Sequence, residues 1–323
     1  MEYSLANSMV IGVSARALFD MRKENSIFEQ QGLAAYTAYQ KEHEDEILKP
    51  GPAFALIKAL LQLNDMAERA NRVEIILMSR NNPDVSLRIF NSIENYRLTI
   101  TRSVFLSGAP LTPYLKAFQT DLFLSACEED VQAAVDAGIA AGIICEETFS
   151  DKTIRFLGEE VPQQIKIAFD GDAVLFSDEA ERVYREHGLE AFENSEREKA
   201  AQPLHAGPFA RFLKLLSDMQ KEFDMVKTPI RTALVTARSA PAHERVIRTL
   251  RAWDVRIDEA FFLGGVTKRE VLSAFGAQIF FDDQQIHTNE ASRVVPAARV
   301  PIRRSAEKGA AVYRLERRID EVS

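Results

Sequence analysis

Near the middle of the chain runs Ile165-Lys166-Ile167-Ala168-Phe169-Asp170-Gly171-Asp172-Ala173-Val174-Leu175-Phe176-Ser177-Asp178-Glu179. Its first five residues are a short, mostly apolar run of the kind that forms a buried strand. The run ends abruptly in two carboxylates separated by a glycine. Asp-Gly is a common turn dipeptide, so a solvated turn is one reading. The other is a site, because carboxylates at the end of a buried strand are costly unless a cation binds between them.

Working outward, apolar strands alternate with helical patterns on both sides of this stretch. Val10-Ile11-Gly12-Val13, Val73 to Met78, Val104-Phe105-Leu106 and Leu122-Phe123-Leu124 read as strands. Gly51-Pro52 opens a helix from Ala53 to Asn64, with proline in its first turn. Val85 to Asn95 is helical in pattern, and Glu128 to Gly142 reads as an alanine-rich helix. This alternation predicts an α/β fold with a parallel sheet and crossover helices.

The order then repeats. Ser14 precedes Asp170 by 156 residues (170 − 14), and Gly51-Pro52 precedes Gly207-Pro208 by the same interval (207 − 51). Ser79 and Thr236, Phe118 and Phe275, and Ser125 and Asp282 are each 157 apart (236 − 79, 275 − 118, 282 − 125). Such a register predicts two tandem α/β units, residues 1–155 and 156–323, from an internal duplication. Packing residues recur in both copies, whereas the strand-end carboxylates and a lysine occur in the second alone. Asp170 stands opposite Ser14, Asp172 opposite Arg16, Lys268 opposite Leu111, Asp282 opposite Ser125 and Asp283 opposite Ala126. If the acids served folding, the first copy would need them too. The second half is therefore expected to carry the chemistry.

In that half, four stretches follow apolar strands, where ligands bind in open α/β sheets. They are Asp170-Gly171-Asp172, Thr236-Ala237-Arg238-Ser239, Lys268, and Asp282-Asp283. Carboxylates brought that close together call for a hard divalent cation, and oxygen ligands favour Mg²⁺. The hydroxyl and ammonium suit a phosphoryl group. Competing readings remain for single residues: Lys268 as a solvated lysine, Asp282-Asp283 as helix N-terminal acids, and Arg238 as the partner of a surface acid.

This order of elements resembles the haloacid dehalogenase-like phosphohydrolase superfamily. More narrowly, Val10 to Phe19, Gly51-Pro52-Ala53-Phe54, Ala168 to Glu179, Leu234 to Ala240 and Phe280 to Gln284 resemble the cytosolic 5′-nucleotidase I family, as does the segment from Gln30 to Glu44. The resemblance runs from about Val10 to about Pro301. It implies Mg²⁺-dependent hydrolysis of nucleoside 5′-monophosphates, AMP typically among them, through an aspartyl-phosphate. In that scheme Asp170 is the nucleophile and Asp172 the general acid/base. Gly171, Thr236, Ala237, Arg238 and Lys268 hold the phosphate. Asp170, Asp282 and Asp283 bind the metal, with Asp172 contributing its backbone carbonyl. A phosphatase for another small phosphate ester, or a nucleotide-binding regulator without turnover, are the alternative readings.

Asp178 to Ala206 is too long for a simple crossover and reads as a small helical cap at about 178–206, with Phe192 as a base-stacking ring or a cap anchor. In the first half, Ser14, Arg16, Ser79, Arg80, Asn81, Asn82 and Lys116 fall near strand ends without carboxylates. They suit an anion, and the resemblance implies a nucleotide effector there; a packing or substrate-covering role is the alternative.

Composition limits the remaining classes. The 323 residues are 46% hydrophobic, enough for a large core. A formal charge of −8 and a pI near 5.4 argue against a nucleic-acid surface. No run reaches membrane-span length and no leader is recognisable at the N-terminus, so a cytosolic protein is expected. Cys127 and Cys145 read as reduced thiols, and His187, His205, His243 and His287 lack metal spacing. Arg303 to Ser323 reads as a packing helix or a contact between subunits of a homo-oligomer.

Overall fold

The computed structural model describes residues 5–65, 72–146, 164–224 and 228–304. The expected boundary between units, near residue 155, and nearly all of the expected C-terminal helix lie outside these residues. Among the described residues, ten strands form one mixed and mostly parallel sheet in the order β3-β2-β1-β4-β5-β10-β9-β6-β7-β8. They are β1 Met9–Ser14, β2 Val73–Ser79, β3 Arg102–Phe105, β4 Leu122–Ser125, β5 Ala140–Ile144, β6 Ile165–Phe169, β7 Ile230–Thr236, β8 Glu259–Phe262, β9 Ile279–Asp282 and β10 Ala297–Arg299.

Alternation along the strands explains why both faces are covered. In β1, Met9, Ile11 and Val13 enter one core while Val10 enters another. In β6, Ile167 and Phe169 join the first of these cores, and Ala168 joins a third. The first core runs across both halves, from Ile11 through Ile144 and Ala298 to Phe281. Successive side chains of a strand point to opposite faces, so a strand buried throughout needs helices on both sides. This is a Rossmann-like α/β arrangement.

The two halves meet at β5 and β10, which run antiparallel, with Ala298 opposite Ile144 and Arg299 opposite Ile143. All other pairings are parallel. The strands of one half therefore end at the opposite edge of the sheet from the strands of the other. Sequence reading missed both joining strands. Glu128 to Gly142 is not one helix: it is helical over Glu128–Asp136, turns at Gly138 with φ +83°, and becomes β5. Ala140, Ala141 and Gly142 have little strand propensity. Gly142 has no room for a side chain, since a Cβ there would meet the Ala298 Cβ at 2.9 Å and the Phe281 ring at 3.2 Å. Tertiary closeness overrides propensity at this seam.

Local geometry repeats at the interval seen in the sequence. Gly32 and Gly188 each break a long helix, Arg22–Glu42 and Glu179–Glu198, and both have φ 81° and ψ −177°. Bridges pair Phe19 with Pro50 and Phe176 with Ala206. Arg88 donates to the Glu46 carbonyl and Arg245 to the Gln202 carbonyl, both at 2.9 Å. The segment from Gln30 to Glu42, part of the stretch that carries the resemblance, belongs to the first of these helices. The segment read as a cap is the second, followed by Lys199 to Ala206.

Candidate active site

β6 and β9 lie side by side, and the Asp170 amide donates to the Phe281 carbonyl at 2.8 Å. That bond sets Asp170 beside the end of β9, where Asp282 and Asp283 follow. After Asp170 the chain makes a wide turn over Gly171–Leu175, closed by the Phe176 amide on the Gly171 carbonyl at 2.9 Å. Ala173 takes the left-handed conformation within it, at φ 59°. Gly171 faces the end of β7, and a Cβ there would stand 3.2 Å from the Thr236 hydroxyl oxygen. The missing side chain keeps that hydroxyl open. Ala237 follows Thr236 and is exposed.

Lys268 arrives from the far side, after the Gly264-Gly265 turn and just before the helix Arg269–Phe275. Its Nζ lies 2.7 Å from Asp170 Oδ1 and 2.7 Å from Asp282 Oδ2, and all three side chains are buried. The reading of Lys268 as a solvated lysine is thereby excluded. Asp282 Oδ1 accepts from the Gln284 amide at 2.9 Å, a turn bond ahead of the helix Gln285–Ala291. That helix starts from Gln284 with no side-chain capping bond and no acid in its first turn, so Asp282-Asp283 are not its capping acids. His287 Nδ1 lies 3.3 Å from Asp282 Oδ2, which sequence spacing did not foresee.

One carboxylate oxygen from each of Asp170, Asp282 and Asp283 falls within 4.8 Å of the others. Asp283 Oδ1 is buried and has no hydrogen-bond partner. An orphaned buried oxygen among three carboxylates fits a hard divalent cation, and an all-oxygen donor set fits Mg²⁺. Electrostatics describe the same strain. Burial raises the Asp170 carboxyl to about 7, against the opposing pull of Lys268. Burial, with Asp170 and Asp282 nearby, raises Asp283 to about 8. Lys268 is also buried, but the two aspartates outweigh that and hold its ammonium more firmly than usual.

A testable pH dependence follows. Acids whose carboxyls are raised by folding make the native state bind extra protons between the unfolded value near 4 and the folded values near 7 and 8. In that window stability falls as pH rises, and it levels off above about 8. Thermal melts in chelator should therefore drop in midpoint from pH 5 to pH 8. Added Mg²⁺ should flatten the upper part of that slope by replacing the protons. A midpoint that rises with pH over this range would contradict it.

Asp172 is not in the three-carboxylate group. Its oxygens receive Arg238 Nε at 2.8 Å and Arg238 Nη2 at 2.7 Å. Arg238 also reaches Glu196, and Arg245 reaches the other Glu196 oxygen at 2.8 Å. Arg238, Glu196 and Arg245 are all buried. Arg238 does pair with acids, but not with the surface acid expected from sequence: Glu196 is buried and Asp172 partly buried. Phe192 lies against the Arg238 guanidinium, 5.6 Å from ring centroid to Cζ. Glu196 and Arg245 were missed from sequence. The repeat held the signal, since Gln40 and Arg88 occupy the matching places and are likewise buried. Among the other histidines, His187 and His205 are exposed beside Glu186 and Glu179, and His243 lies edge-on to Phe262.

The constellation at the ends of β6, β7 and β9 can hold a divalent cation on carboxylates and a phosphoryl group on a hydroxyl and an ammonium. Comparison with known proteins bears on that chemistry. The chain is 40% identical over 298 residues to human cytosolic 5′-nucleotidase 1B, covering 89% of this chain and 48% of that protein. It thus spans about half the length of that relative. No helix among the described residues is long and apolar enough to cross a membrane. A family model described as 5′-nucleotidase matches residues 1–307. With that match over nearly the whole chain, the protein belongs to the 5′-nucleotidase family.

Proposed function

We propose that this protein hydrolyses nucleoside 5′-monophosphates, AMP among them, in a Mg²⁺-dependent reaction that passes through a phosphate ester on Asp170. The observation that carries the reading is the single ammonium of Lys268 set 2.7 Å from both Asp170 and Asp282, beside the unpartnered Asp283. Asp170, Asp282 and Asp283 would hold the cation, with the Asp172 carbonyl completing the shell. When bound, the cation neutralises these carboxylates and the substrate phosphate, so that an anionic nucleophile can approach phosphorus. Asp170 Oδ then attacks in line as the 5′-oxygen departs.

Asp172 gives the proton to that leaving oxygen and afterwards takes one from water. Both of its oxygens are engaged by Arg238, so the pair must part before Asp172 turns to substrate. A guanidinium released from it can take up phosphate oxygens in the same bidentate manner. Thr236, with Gly171 and Ala237 around it, and Lys268 hold the non-bridging oxygens where charge gathers in the transition state. The helix Glu179–Glu198 acts as a small cap, since it supplies the Glu196 that fixes Arg238. The chain is read as a duplicated haloacid dehalogenase-like unit with catalysis in residues 156–323, and as cytoplasmic.

Phosphate release from a panel of nucleoside 5′-monophosphates, with a sugar phosphate for contrast, tests the substrate class. Faster release from the nucleotides supports the reading. Release from the sugar phosphate alone would make this a phosphatase for another ester.

A further inference from the structure

The Asp172–Arg238–Glu196–Arg245 group runs inward from the acidic crevice at the ends of β6, β7 and β9, and its two carboxylates differ in cover. The Asp172 side chain is 18% exposed, while those of Arg238, Glu196 and Arg245 are 3%, 1% and 4% exposed. Asp172 holds one edge of the Arg238 guanidinium, through Nε and Nη2, and Glu196 holds the remaining nitrogen, Nη1. One side of the guanidinium thus meets a partner that solvent reaches, and the other meets one that it does not. The Arg238 amide also donates to the Thr236 hydroxyl oxygen at 3.2 Å, which ties this residue to the end of β7.

The first half shows the same scaffold without this arrangement. Arg88, 157 residues before Arg245 (245 − 88), donates to a loop carbonyl at 2.9 Å just as Arg245 does. Its countercharge is Glu24 at 2.6 Å, and Gln40 supplies only a neutral oxygen at 3.3 Å. In the second half Ala180 takes the place of Glu24 (180 − 24 = 156), and Glu196 takes the place of Gln40 (196 − 40 = 156). The buried arginine keeps a countercharge, but that charge stands at the end of the helix Glu179–Glu198 rather than at its start. An acid that served Arg245 alone could stand at 180, as Glu24 does in the first half. At 196 it reaches Arg238 as well.

The neighbouring ring changes in the same sense. The Tyr36 hydroxyl accepts from Gln40 Nε2 at 3.0 Å. Phe192, at the matching place (192 − 36 = 156), has no hydroxyl and lies against the Arg238 guanidinium. Two differences between the halves converge on one side chain.

We propose that Glu196 is a positioning residue of the phosphoryl-transfer site. By anchoring Nη1, it keeps the Nε–Nη2 edge of Arg238 as a fork that Asp172 occupies at rest and the substrate phosphate takes over. This rests on the reading of the crevice as the place of phosphoryl transfer. With Asp172 in place, two carboxylates balance two guanidiniums. When Asp172 leaves, one positive charge is uncovered on the open side, and two phosphate oxygens fit the same bidentate geometry. Arriving phosphate thereby frees the general acid/base that its own ester bond requires. Without Glu196, Asp172 would be the one carboxylate partner of Arg238 among the described residues, and the two would part less readily.

The test moves the charge back. Glu196→Gln removes the anchor, and Ala180→Glu in the same chain gives Arg245 the countercharge that Glu24 gives Arg88. The full chain and its variants are titrated with inorganic phosphate in Mg²⁺, melted, and assayed with AMP. Glu196→Gln should melt lower than the parent and bind phosphate about tenfold or more weakly, the scale of one charge-assisted hydrogen bond. Its kcat/KM should fall by at least as much. The double variant should regain most of the melting midpoint but neither the phosphate affinity nor kcat/KM. Should Glu196→Gln alone fail to fold, the double variant carries the comparison, because the chain already builds that arrangement once. Phosphate affinity and kcat/KM that return with the midpoint in the double variant would make Glu196 a structural countercharge and overturn the proposal. So would parent-like phosphate affinity in Glu196→Gln. If the parent binds phosphate but releases none from AMP, and Glu196→Gln binds it weakly, the catalytic reading fails while the anchoring of the fork is upheld.

Discussion

Asp170→Asn should leave a folded protein with turnover lost by on the order of 10⁴-fold or more, the scale seen when a covalent nucleophile is removed. The substitution keeps the shape of the side chain, and an amide oxygen can still accept from Lys268 Nζ, which stands 2.7 Å from Asp170 Oδ1. It also removes one of three crowded negative charges. The metal-free variant should therefore melt no lower than the parent, while its Mg²⁺ affinity falls for want of an anionic ligand. Rate, melting midpoint and Mg²⁺ titration separate the three effects. A variant that retains substantial phosphate release would remove Asp170 from the nucleophile's place.

Lys268→Met should damage both activity and stability. The methionine fills much the same volume but leaves Asp170 and Asp282 facing each other without their shared cation. Breaking a buried ion pair by deleting one partner costs about 3–5 kcal/mol. Losing a preorganised positive charge at the phosphoryl group costs on the order of 10²–10³ in kcat. Mg²⁺ should return part of the stability, because it can neutralise the same carboxylates, and little of the rate. Lys268→Arg is not expected to rescue, since a planar guanidinium cannot sit as a point charge between two carboxylates. Melts with and without Mg²⁺, alongside kcat, check this. Unchanged stability in chelator would mean that the lysine does not bear on the cluster at all.

Much of this was legible in the residues. The strand-end positions of Asp170, Thr236 and Asp282-Asp283 could be read because mostly apolar strands of four to seven residues end at or just before them. Comparing the two halves of the chain identified which half holds the acids. What escaped were features made by tertiary closeness rather than by local pattern. β5 was read as helix because its alanines have little strand propensity and its Gly142 answers to the approach of Ala298. β10, three residues long, offers no periodicity to detect. The buried Arg238–Glu196–Arg245 group was missed because its members are separated by 42 and 49 residues and each reads singly as a surface charge. The antiparallel seam, which sends the strand ends of the two halves to opposite edges, depends on both unseen strands.

On the proposed reading, the acidic crevice releases phosphate from a nucleotide by a cation-dependent reaction. Phosphate release from AMP, measured with Mg²⁺ and again in excess chelator, tests it most directly. The predicted result is turnover with Mg²⁺ that disappears in chelator and returns when Mg²⁺ is restored. Turnover undiminished by chelator, or no release from AMP under either condition, would contradict it.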